Sequence, residues 1–162
     1  MRRVRTVDEI PVGHTPAGGY GDTMPAPVLA DCTTPVDAGA PDLHGTWRIV
    51  EVIVGDAAVD DHPMLGRIER VEQAGDRVVI ANSGVVHDLR ADGTEHNGVH
   101  DVAAFDFTTP IVVVGTYEDH DGTTALVLRP LGIPGIEVRR WRDGDAMRWS
   151  YAGAFTARLE RV

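Results

Sequence analysis

Residues 136–162 read IEVRRWRDGDAMRWSYAGAFTARLERV, three short runs separated by the turn signals Asp143-Gly144 and Ala152-Gly153. Alternation at period two puts one parity of side chains on each face of a strand, and Gly beside Asp accepts the backbone of a tight turn. The stretch therefore predicts three antiparallel strands, at 136–142, 146–151 and 155–162. Toward the N-terminus the same grammar gives strands at 46–54, 67–73, 77–82, 85–90, 95–102, 111–118 and 123–128, with turn residues at 74–76, 92–93 and 119–122. Ten strands at this spacing, with no long run holding a 3.6-residue period, predict an all-β fold, a single antiparallel up-and-down β-barrel. The segment 55–66, containing Asp60-Asp61-His62-Pro63, interrupts the pattern and has room for a short helix.

The first quarter of the chain is different in kind. Residues 1–42 hold six of the ten prolines and no apolar period, so they read as an irregular N-terminal arm. Tyr20, Met24, Val28 and Leu29 give that arm enough apolar surface to dock on, and cover, a barrel formed by 43–162. Twenty-five acidic against fifteen basic residues leave a formal charge of -10, which repels phosphate backbones and disfavours nucleic acid as a partner. The lone Cys32 provides neither an internal disulfide nor a thiolate-rich metal site, an economy that suits a cytoplasmic location. Arg2, Arg3 and Arg5 resemble the start of a signal peptide, but Asp8, Glu9 and Pro11 stand where its apolar region belongs. No stretch approaches the roughly 20 apolar residues needed to span a bilayer as a helix, so no membrane insertion is expected.

The order of elements resembles the intracellular lipid-binding proteins, the fatty-acid-binding branch of the calycin superfamily. Gly45-Thr46-Trp47 is similar to that family's opening strand, and Gly75-Asp76-Arg77-Val78-Val79-Ile80 to one of its strand starts. Val138-Arg139-Arg140 before Asp143-Gly144 resembles its penultimate hairpin, and Thr156-Ala157-Arg158-Leu159-Glu160-Arg161-Val162 its closing strand. The resemblance implies a lipocalin-like barrel that holds a small apolar or amphipathic molecule in a hydrophobic cavity. Two departures qualify it. Segment 55–66 is too short for the family's two-helix lid, which leaves the arm to cover the mouth, and Ala157 and Leu159 fall where the family carries its carboxylate-binding Arg and Tyr. In the haem-binding nitrobindins, another calycin branch, the proximal histidine would fall near Ala154, which disfavours haem.

Hairpin register turns spacing into candidate sites. Pairing Ala91 with Thr94 across Asp92-Gly93 gathers Val85, His87, Leu89, His96 and His100 on one face and sends Asp88, Arg90, Glu95 and Asn97 to the other. The histidine face is the one expected inside. His96 and His100 lie about 13 Å apart along a strand, so the three imidazoles do not close on one metal ion. Pairing Arg142 with Asp145 likewise puts Val138, Met147, Trp149 and Tyr151 on an interior face with Arg140. A guanidinium there must meet a ligand anion, an internal partner such as Glu51, or water at the barrel mouth. Trp47 is expected to pack at the barrel's closed end.

The expected function is accordingly binding of a small apolar or amphipathic ligand, lined by Val85, Leu89, His96, Val138, Met147, Trp149 and Tyr151. The alternative is a cofactor-free isomerase, cyclase or lyase in the same cavity, with His87 or His100 moving a proton and Arg140 stabilising an oxyanion. No nucleophile elbow, phosphate loop, dinucleotide fingerprint or helical zinc motif occurs, so neither reading calls for a cofactor.

Overall fold

The computed structural model describes residues 3–82 and 84–162; Met1 and Arg2, at the head of the basic start, lie outside them. Eleven strands follow a short 3-10 turn at Val7–Glu9: β1 (Gly45–Val54), β2 (Ala57–Val59), β3 (Ile68–Ala74), β4 (Arg77–Asn82), β5 (Val85–Arg90), β6 (Val99–Val102), β7 (Pro110–His120), β8 (Thr123–Pro130), β9 (Val138–Asp143), β10 (Ala146–Tyr151) and β11 (Phe155–Arg161). Ten of them form one antiparallel path, β5-β4-β3-β1-β11-β10-β9-β8-β7-β6, and β2 pairs with β1 alone. The result is an all-β, nearly closed, up-and-down barrel, compatible with a calycin-like fold. No helix among the described residues is long and apolar enough to cross a membrane.

The turns explain the register. Asp143 pairs with Ala146, leaving Gly144 at the first central position with φ +59°, where a type II′ turn needs positive φ. The sequence expectation had centred this turn one residue earlier, so Arg140 lies opposite Trp149 rather than Met147. Because the relative slip is two residues, every side chain keeps its expected face. Segment 55–66 forms no helix: Ala57–Val59 pairs back on β1, and Met64 and Leu65 then pack on the interior apolar cluster.

The expected hairpin across Asp92-Gly93 is not formed, which is a correction. The Asp92 carboxylate accepts hydrogen bonds from the Thr94 amide and hydroxyl and from the Asn97 side chain, folding 92–97 into a loop. The Gly93 amide donates to Gly115 O, and Asp92 bridges to Thr116, so this end of β5 closes on β7. The strand expected over 95–102 is only Val99–Val102, paired with β7.

The barrel interior is filled along much of its length by Leu43, Trp47, Val71, Leu126, Met147 and Leu159, all fully buried. At the end where β1 begins, the Trp47 indole donates to Leu43 O, and the guanidinium groups of Arg161 and Arg142 lie 4.7 and 5.6 Å from its ring centroid. The arm packs against the outer wall of β3, β4 and β5. There Val7, Ile10 and Leu29 join Val79, Ala81 and Val86 in a second apolar cluster. Farther along, Val36 bridges to Gly75 and Pro41 O accepts from Gln73, which carries the chain across the Trp47 end.

Candidate functional site

Arg140 and Trp149 face each other across the hairpin of β9 and β10 on the interior wall. Their side chains touch, with the guanidinium carbon 5.2 Å from the indole centroid. Arg140 is 3% exposed, and it meets an internal carboxylate: its Nε donates to Glu69 Oε1 at 2.9 Å, and its Nη2 lies 2.6 Å from the same oxygen. Glu69 is equally buried and also accepts from Asn82 at 3.4 Å. The expected internal partner, Glu51, is elsewhere. A bulge between Ile49 and Glu51 inverts the parity of β1, so Val52 takes the inward position and Glu51 meets Arg148 at 3.8 Å.

Two donors of this cluster have no acceptor among the described residues: Arg140 Nη1 and Trp149 Nε1. A buried donor left unmade costs about 1–3 kcal/mol, so two on neighbouring side chains mark a place where an acceptor belongs. Arg142 and Arg70 also hold unpaired nitrogens. Arg142, however, already donates to Asp42 O and Gly144 O at the Trp47 end, and Arg70 lies on the arm side beside Glu72. Arg142 has a single orphan nitrogen, and the two of Arg70, Nε and Nη2, lie on the outer wall beside Ala81, away from the barrel interior.

His87 is on the interior face with Val85 and Leu89, as the register of β4 and β5 requires. Its Nε2 lies 3.0 Å from Val102 O. A carbonyl only accepts, so that nitrogen carries the proton and Nδ1 is the acceptor. Burial lowers the His87 pKa; the Val102 carbonyl and Asp101 oppose the shift in part, while Arg140 adds to it.

His96 and His100, expected beside His87, are exposed and outside the barrel, a second correction. The irregular loop 91–98 reverses the parity that a hairpin would have set, so Val99 turns inward and His100 outward, its Nε2 at 2.8 Å from Glu95 O. Both line a cleft of about 420 Å³ between the arm and β5, together with Ile10, Val12 and Arg90. The charged groups of that cleft are already engaged: Arg77 with Asp88, and Arg90 with Asp8 and Asp76. Among the described residues no group of three or more His, Cys, Asp or Glu is placed to hold a metal ion.

The remaining expected lining residues divide by depth. Met147 and Val85 are buried in the wall, Val138 is half-buried, and Tyr151 is at the rim, 39% exposed. Spacing alone missed the aromatic group around that rim. Phe155 stacks on Tyr151 at 5.7 Å, meets Trp149 edge-on at 5.4 Å, and touches His62 at 4.8 Å. Its inward parity with Ala157 and Leu159 was the available signal. No protein-family model, no curated protein and no solved structure matches this chain.

Proposed function

We propose that the protein binds a small apolar or amphipathic molecule inside the barrel, with a polar atom of the ligand at Arg140 Nη1 and Trp149 Nε1. The observation that carries this reading is a pair of buried donors, on side chains packed against each other, that have no acceptor among the described residues. The aromatic group of Trp149, Tyr151 and Phe155 supports it by providing an apolar approach from the rim. The outer cleft is a concavity of about 420 Å³, yet its charged side chains are satisfied by one another and offer less for recognition. The test is titration with the uncharged fluorophore N-phenyl-1-naphthylamine. Uptake should saturate at one probe per chain, with energy transfer from tryptophan that falls in Trp149→Phe. It should be unchanged in Val12→Glu, which alters only the exposed wall of the cleft. Uptake that never saturates, or that is lost in Val12→Glu, overturns the reading.

A second reading is favoured by one observation, a largely buried histidine whose pKa is lowered by burial and whose Nε2 is taken by a carbonyl, which leaves Nδ1 as its acceptor nitrogen. In it the same interior is a cofactor-free isomerase, cyclase or lyase, with His87 as base. Turnover found in a substrate screen must then vanish in His87→Gln; activity that survives this change excludes the role.

A further inference from the structure

The charge balance around Arg140 narrows the class of ligand, on the footing of the container reading above. We infer that the barrel interior selects an uncharged acceptor head group, such as a ketone or amide oxygen, over a carboxylate on the same apolar body.

The guanidinium is already neutralised inside the protein. Two of its nitrogens engage Glu69, and the side chains of both residues are nearly inaccessible to water, 3% and 4% exposed. His87, held neutral by burial, adds no charge. The cations at the opposite end, Arg142 and Arg161 over Trp47, are committed to carbonyl oxygens there. An incoming carboxylate would therefore bring a second negative charge beside Glu69, in surroundings where an uncompensated ion is very costly. It would bind only by displacing Glu69 from Arg140. A neutral oxygen needs nothing displaced: Arg140 Nη1 and Trp149 Nε1 are unused donors, and an oxygen with two lone pairs can accept from both. The position is thus unlike one in which an arginine without an internal partner recognises an acid.

The test compares octan-2-one with octanoate, equal in chain length, by titration followed at the Met147 methyl signal, a fully buried reporter on the interior wall. The wild-type protein should bind the ketone about tenfold or more tightly than the acid. Glu69→Gln removes the internal counter-charge, so octanoate should gain about tenfold while the ketone changes little. A wild-type preference for octanoate, or an unchanged ratio in Glu69→Gln, overturns the inference. Since Glu69→Gln leaves a buried cation without its anion and can fail to fold, Trp149→Phe provides an independent arm. It keeps an aromatic ring and deletes one donor, so ketone affinity should fall about fivefold to tenfold while the affinity for plain octane holds. Equal losses for both overturn the inference. If no compound moves the Met147 signal, the container reading fails and takes this inference with it; if ketone and acid bind alike, only the head-group selectivity fails.

Discussion

Arg77 and Asp88, on adjacent strands of the outer wall, form a fully buried ion pair with contacts of 2.9 and 2.6 Å, and together they clamp the arm to the barrel. Arg77 also donates to the carbonyls of Val7, Ile10 and Pro11, and Asp88 accepts from the Gly13 amide. Glu72 repeats the device by accepting from the amides of Val28 and Leu29. An irregular segment has few ladder bonds of its own, so buried side chains must satisfy its backbone groups.

Removing one member of the clamp should therefore be severe. Asp88→Ala leaves Arg77 buried and unpaired, and is expected to lower unfolding stability by about 3–5 kcal/mol in urea titrations. Arg77→Met with Asp88→Leu should cost less than Asp88→Ala alone. Limited proteolysis should cut within residues 5–32 of Asp88→Ala faster than in the wild type. Equal stability of Asp88→Ala and wild type contradicts the clamp.

Deleting residues 1–38 should expose Val79, Ala81 and Val86, which the arm now buries. It also opens the free edge of β5, where Thr15 bonds both the amide and the carbonyl of Val86. An exposed apolar strand edge pairs with others of its kind, so the truncated chain should self-associate in size-exclusion chromatography with light scattering. A monodisperse monomer with unchanged thermal midpoint would show that the arm is dispensable to the wall.

His87 gives a pH signature with a definite sign. Its native pKa is below the ordinary 6.5, so the unfolded chain binds the proton more readily. The contribution of neutral His87 to stability is complete above 6.5, is lost progressively as pH falls from there through the lowered native value, and is constant below it. The difference in unfolding free energy between wild type and His87→Gln should follow that curve; a difference independent of pH rejects a buried neutral imidazole.

The loop that replaced the expected hairpin has its own test. A Cβ at Gly98 would come within 2.5 Å of the Val113 carbonyl oxygen, a backbone atom that cannot swing aside. Gly98→Ala should destabilise by about 1–3 kcal/mol in the same urea titrations. No loss would argue against the Val99–Val113 pairing on which the outward turn of His100 depends.

The fold was legible because turn chemistry is local. Asp121-Gly122, both at positive φ, join β7 to β8 as a two-residue turn, and parity then assigned Val138, Arg140, Met147 and Trp149 to one face even where the register slipped. What escaped was non-local. Asp92-Gly93 has the residues of a hairpin turn, but nothing in 92–97 tells that Gly93 will bond to Gly115. The bulge at Val50 is silent in sequence, so Glu51 took the role that belongs to Glu69, 71 residues before Arg140. Asp88 was expected to face water; it is on the expected outer face but lies under an arm whose path no local pattern reveals.

Where a ligand sits tests the central claim most directly. Intermolecular NOEs between bound N-phenyl-1-naphthylamine and the protein are predicted to fall on the Trp149 ring, the Met147 methyl and the methyls of Leu128, all on the interior side of the wall. NOEs confined to Val12 and His96, in the cleft beneath the arm, would contradict the account.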